Sequence, residues 1–138
     1  MWRLLYSTAI RCEEGWINFQ ESCYLRVNTK MTWSEAQTTC EKNDANLVTV
    51  NSDHEMTFLG SLMKDNGGWN GLHMDEDSKT LVRSSGENSD YQNWGKWGSK
   101  RISKLRNCVH MSEKTKGLKW TLDRCSIKYK FTCEKGKK

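Results

Sequence analysis

Proline is absent from this chain of 138 residues. There is thus no X–Pro bond to adopt the cis form, and a cis bond elsewhere costs roughly 2.5–4 kcal/mol. No apolar run approaches the ~20 residues needed to cross a bilayer. The opening Met1-Trp2-Arg3-Leu4-Leu5-Tyr6 is too short for a signal-peptide core and has no small-residue cleavage site. A secretion signal or membrane anchor is therefore expected outside this sequence. Asn-x-Ser/Thr does not occur, so no N-glycan is expected. Catalytic signatures are missing as well. The chain has no Gly-rich phosphate loop and no Gly-x-Ser-x-Gly, and its 3 histidines (His54, His73, His110) are scattered. A non-enzyme is expected.

The last absence is local. Between Tyr91 and Ser112 there is no acid, while Lys96, Lys100, Arg101, Lys104 and Arg106 add five positive charges. The chain carries 22 basic and 17 acidic residues, a net charge of +5. Without those five the count is 17 against 17, so the whole excess lies in one stretch. Such asymmetry points to a partner rather than to the fold.

What is present is cysteine and tryptophan. The 6 cysteines (Cys12, Cys23, Cys40, Cys108, Cys125 and Cys133) include no C-x-x-C and no zinc-type spacing. Three disulfides formed in an oxidising compartment are expected, with a pairing that counting alone does not settle. A hydrophobic fraction of 36% with 7 Trp suggests a small core of large rings helped by cross-links.

Along the chain, Gly15-Trp16-Ile17-Asn18-Phe19 and Ser22-Cys23-Tyr24-Leu25-Arg26-Val27 read as two short strands. Thr32-Trp33-Ser34-Glu35 is a capping box opening a helix whose buried face is Trp33, Ala36 and Cys40. Ser52-Asp53-His54-Glu55 is a second such box. It starts a helix running to about Lys64, with Phe58, Leu59, Leu62 and Met63 on its apolar side, and Asn66-Gly67-Gly68 stops it. Leu47-Val48-Thr49-Val50 reads as a strand between the helices, and Ser84 to Asp90 as exposed loop. Strands are expected at Cys108 to Met111, Lys119 to Leu122 and Lys128 to Cys133. Two early helices and late antiparallel strands predict a single α+β domain.

These residues together resemble the C-type lectin-like domain. The resemblance rests on Cys12, Gly15-Trp16, Phe19, Cys23-Tyr24, Trp33, Ala36, Cys40, Leu47, Val50, Ser52, Glu55 and Phe58. It continues through Trp69-Asn70-Gly71-Leu72, Asn93-Trp94, Cys108-Val109, Trp120, Cys125, Phe131 and Cys133-Glu134. The resemblance implies two helices packed on short antiparallel sheets with a long irregular loop. It also implies the pairs Cys12–Cys23, Cys40–Cys133 and Cys108–Cys125, the first marking the long form of the domain. The domain is placed at 12–134, after an N-terminal extension or first strand over 1–11 and before a basic tail over 135–138.

Sugar-binding members hold calcium through Glu-Pro-Asn or Gln-Pro-Asp, an acid before a cysteine, and Trp-Asn-Asp. Here the matching positions read Trp97-Gly98-Ser99-Lys100, Arg106-Asn107 and Trp120-Thr121-Leu122. Calcium wants six to eight oxygens, and these positions keep at most Asn107 and Thr121, both neutral. The expectation is no cofactor and no calcium-dependent sugar binding. Asp123 reads as a turn acid pairing with Arg124 or Lys119, and Asp75, Glu76 and Asp77 as a charged loop tip.

The segment Trp94 to Arg106 falls where the family places its ligand-binding loop. The expected ligand surface is Lys96, Trp97, Lys100, Arg101, Lys104, Arg106 and Lys119, with Trp97, Arg101 and Lys119 as anchors for a protein ligand or receptor. The alternative is a polyanion: a sulfated glycosaminoglycan, an anionic lipid surface or nucleic acid. Trp94 is expected in the core. If Ile102 and Leu105 only pin the loop, its lysines are an ordinary solvated face. The chain is placed as a secreted protein or receptor ectodomain, and family members often dimerise.

Overall fold

The structure is a computed structural model, and it describes residues 12–64, 67–75, 77–84, 89–95, 106–112 and 117–136. The expectations for 1–11, Glu76 and the loop from Lys96 to Leu105 lie outside the described residues.

Strand β1 (Ile17–Phe19) turns back into β2 (Ser22–Met31), a longer strand than its aromatic start announced. Helix α1 (Trp33–Glu41) starts on a complete capping box: Thr32 Oγ1 accepts the Glu35 N–H, and Glu35 Oε1 accepts the Thr32 N–H. Ala36 and Cys40 are fully buried on its inner face, while Trp33 is half-buried and donates its indole N–H to the Asn70 carbonyl. After the two-residue β3 (Asn46–Leu47) comes α2 (Asp53–Leu62).

The second box is only half made. Ser52 Oγ accepts the Glu55 N–H, but the Glu55 side chain turns inward and is 3% exposed. Its carboxylate accepts from the Asn51 N–H at 2.9 Å and from the Tyr24 hydroxyl at 2.6 Å. Burial, with help from Glu134 and Glu55, raises the Tyr24 pKa and keeps the phenol protonated. A residue that looked like a cap therefore ties the second helix to β2.

The remaining strands are β4 (Gly68–Met74), β5 (Leu81–Val82), β6 (Arg106–Ser112), β7 (Lys119–Arg124) and β8 (Tyr129–Gly136). They join one sheet in the order β1-β2-β8-β4-β6-β7, with β3 also on β8 and β5 on β4. All pairings are antiparallel except β4 with β8.

Alternation along the strands divides the core into two clusters. On β6, Val109 and Met111 join Leu59, Met63, Leu72, Trp120 and Leu122, while Cys108 joins Ala36, Cys40, Trp69 and Phe131. Within β4, Trp69-Asn70-Gly71-Leu72 has a separate structural reason at each position. Trp69 and Leu72 are fully buried in different clusters, and Asn70 Oδ1 accepts the Leu72 N–H where the β4–β6 register shifts. Gly71 lies against β3, its N–H on the Val48 carbonyl at 2.7 Å, and a Cβ there would stand 2.6 Å from the Leu47 oxygen. Only glycine fits.

The disulfides are Cys12–Cys23, Cys40–Cys133 and Cys108–Cys125, as the resemblance implied. The second joins α1 to β8 across 93 residues of sequence. Closing a loop of that length is worth about 4–5 kcal/mol on the chain-entropy model.

Candidate functional site

The two strands that follow the long loop in sequence are built from the inside. Val109, Met111, Trp120 and Leu122 are each no more than 1% exposed and hold the β6–β7 pair onto the main cluster. The rings of Tyr91 and Trp94 meet the Trp120 ring edge-on, at centroid distances of 5.8 and 5.9 Å. Trp94 is thus half-buried against the core, close to its expected place.

Backbone bonds fasten the loop's start to β7. The Trp120 N–H donates to the Asn93 carbonyl at 2.8 Å, and the Gly95 N–H donates to the Trp120 carbonyl at 2.9 Å. The Asn93 side chain completes the join: Nδ2 donates to the Gly117 carbonyl, and Oδ1 accepts from Lys119 Nζ at 3.1 Å. Lys119, expected as a ligand anchor, is therefore half-buried and engaged in positioning the loop.

Arg106 is exposed at the head of β6. Its register partner is Arg124, also exposed, at the end of β7. Sequence reading missed Arg124, because only strand register sets it beside the basic loop. Like charges facing each other across a strand pair are destabilising. The register shifts between Arg106 and Cys108, leaving Asn107 as the extra residue, with Oδ1 3.1 Å from Cys125 Sγ. Bulges of this kind re-aim side chains beside binding sites. The structure describes Arg106 and Lys119; Lys96, Trp97, Lys100, Arg101 and Lys104 lie outside the described residues.

Asp123 departs from expectation. It sits within β7 rather than in a turn, and its carboxylate takes the Tyr129 hydroxyl at 2.5 Å and the Arg124 backbone N–H at 2.9 Å. Burial and the bond to Asp123 raise the Tyr129 pKa. The Tyr129 ring stacks on His110 at 3.7 Å and meets Trp69 edge-on. Neither Arg124's guanidinium nor Lys119 is the acid's hydrogen-bond partner; a phenol is, because β8 brings Tyr129 over this face. Among the described residues, no three His, Cys, Asp or Glu side chains gather to hold a metal. Asp75 accepts from the N–H and hydroxyl of Ser78, which stabilise its ionised form and lower its pKa.

Three disulfides, two helices and the eight-stranded sheet together define a C-type lectin-like domain. Residues 29–135 match the lectin C-type domain family, and the chain belongs to that family. It is 33% identical to lithostathine-1 of Mus musculus over 136 residues, covering 94% of this chain and 82% of the relative. Snaclec A11 of Macrovipera lebetinus is 28% identical, with 89% and 83% covered. The crystal structure of human lithostathine superposes with a TM-score of 0.82 at 28% identity, covering 92% of each chain.

Proposed function

We propose that this domain is a calcium-independent, non-enzymatic extracellular recognition module, secreted or part of a receptor ectodomain, that binds a protein ligand through its basic loop. The observation that carries the reading is Leu122. It stands where sugar-binding members place an aspartate, and it is 1% exposed within the main cluster, where it offers no oxygen to an ion. Thr121 and Asn107 beside it are neutral, and the proline that would turn two ligands onto one ion is absent from the chain. Three disulfides fit an oxidising compartment. No described helix is long and apolar enough to cross a membrane.

The test is binding of the labelled domain to intact cells in the presence of a calcium chelator. Binding that survives chelation and heparinase, and is lost after surface proteolysis, supports a protein ligand. Loss on chelation, or a melting temperature raised by millimolar calcium, overturns the calcium-independent reading. A second reading, polyanion binding, is favoured by the facing Arg106 and Arg124. Retention on heparin above physiological salt supports it, because several sulfate contacts give strong but salt-dependent affinity. Elution below that salt removes it.

A further inference from the structure

With all six cysteines held in disulfides, the chain offers an oxidant no free thiol. The soft sulfur that remains is thioether, in 6 methionines, and susceptibility to oxidation follows exposure. Met1 lies outside the described residues. Four of the others are closed off in the main cluster: Met63 and Met111 are 0% exposed, Met56 and Met74 7%. Met31 differs from them. It is half-buried at the last position of β2 and lines a groove of about 530 Å³, with Ser34, Glu35 and Thr38 of α1 along the other wall.

Met31 is also held in place. Its backbone is in register with Tyr129 of β8, and its carbonyl accepts the Trp69 indole N–H at 2.9 Å. Its side chain packs against the second cluster, and the Thr39 hydroxyl donates to its sulfur at 3.3 Å. A threonine hydroxyl inside a helix commonly turns to the carbonyl one turn earlier; here it goes to a thioether. A thioether sulfur has two lone pairs, and oxygen added to one or the other gives opposite configurations at sulfur. The hydrogen bond occupies one lone pair and leaves the second as the nucleophile. A sulfur held in this way beside an open groove combines access with a handed environment.

We propose that Met31 is a reversible oxidation site of this domain, at which a peroxide adds oxygen to the lone pair that Thr39 leaves open and gives a single sulfoxide epimer. The sulfur lone pair attacks one peroxide oxygen, the O–O bond breaks, and the other oxygen leaves as water when the oxidant is hydrogen peroxide. Sulfur loses two electrons and the peroxide gains them. The product puts a polar oxygen at the seam between β2 and α1, where an apolar side chain had packed. Neither the basic loop nor its ligand takes part.

The folded chain is treated with a graded series of hydrogen peroxide, quenched, digested and mapped by mass spectrometry. Met31 is expected to oxidise at least about tenfold faster than Met56, Met63, Met74 or Met111. The Met31 peptide is then given separately to the two methionine sulfoxide reductases, which take opposite epimers. One should restore nearly all of it and the other almost none, whereas chain oxidised in denaturant should divide between the two. Thr39→Val removes the hydroxyl and should yield both epimers from the folded chain. Thr39→Ser keeps the donor and should keep the selectivity, and melts of both variants check that they are folded. Three outcomes overturn the proposal: Met56, Met63, Met74 or Met111 oxidising as fast as Met31, both epimers from the folded parent, or a single epimer from folded Thr39→Val. The parent's epimer ratio, read without any variant, decides the matter if Thr39→Val does not fold.

Discussion

Two glycines should answer the same substitution with opposite signs. At Gly71 an added Cβ would lie 2.6 Å from the Leu47 oxygen, 3.1 Å from the Leu47 carbonyl carbon and 2.9 Å from Thr49 Cγ2. Ordinary C···O approach is about 3.3 Å or more, so β4 must retreat from β3 by more than half an ångström. Retreat strains the buried bond from the Gly71 N–H to the Val48 carbonyl, 2.7 Å long. Overpacking costs about 1–3 kcal/mol, and leaving a buried backbone group unpaired costs about 1–3 kcal/mol more. Gly71→Ala is thus expected to lose roughly 2–6 kcal/mol, or at least about 6 °C in Tm for a domain of this size. Gly60 stands inside α2, and a Cβ there meets nothing within 4 Å. Gly60→Ala should gain about 0.5–1 kcal/mol, from helix propensity and a less flexible unfolded chain. Circular dichroism melts of the oxidised protein, run for both variants together, check the pair. If Gly71→Ala melts with the parent while Gly60→Ala rises, the close approach of β4 to β3 does not exist as described and the reasoning fails.

Replacing Cys40 and Cys133 by alanine should cost about 4–5 kcal/mol, against about 3 kcal/mol for the shorter Cys12–Cys23 loop; denaturant titration gives the ranking. Arg106→Glu with Arg124→Glu should lower the salt at which the domain leaves heparin and flatten the salt dependence, by about one unit of slope for each arginine that no longer meets a sulfate. Burial lowers the His73 pKa below its ordinary 6.5, with Asp75 opposing. Its neutral form is the one the fold favours, so above about pH 6.5 it adds no pH dependence. As pH falls below that value the unfolded chain takes the proton first and stability drops; His73→Gln should make melts between pH 7 and 5 less steep, and an unchanged slope counts against this assignment.

Much of the fold was legible because local chemistry and global packing agree. The Thr32 box, the Ala36–Cys40 face and the Trp120 strand are set by short-range patterns that the tertiary structure keeps. The misreadings share one cause, which is that a polar residue's partner can lie far away in sequence. Glu55 matched a local cap but bonds Tyr24, 31 residues earlier. Asp123 had cationic neighbours in sequence but bonds Tyr129 across a turn. The site was half legible for the same reason. A charge run shows in sequence, whereas Arg124 joins Arg106 only through strand register.

The loop's base bears on how a domain of this family could do without metal ligands and keep its shape. Every bond described between the loop start and β7 is made by backbone or by Asn93, and the side chains that β6 and β7 send into the main cluster, Val109, Met111, Trp120 and Leu122, are hydrophobic. None of these described bonds uses a carboxylate, so on the proposed calcium-independent reading a ligand position can change here without cost to the core. The converse is not free. Leu122→Asp would restore one family ligand, yet it would bury a carboxylate at a 1% exposed position among Val109, Met111 and Trp120. Burying an unpaired charge costs several kcal/mol even after the group neutralises by taking up a proton. The variant should therefore melt well below the parent, recover partly as pH falls, and show no rise in Tm with millimolar calcium. A variant that keeps the parent Tm and gains calcium-dependent stability would show that residue 122 faces the loop and not the core, and with it the main support for calcium-independent recognition would go.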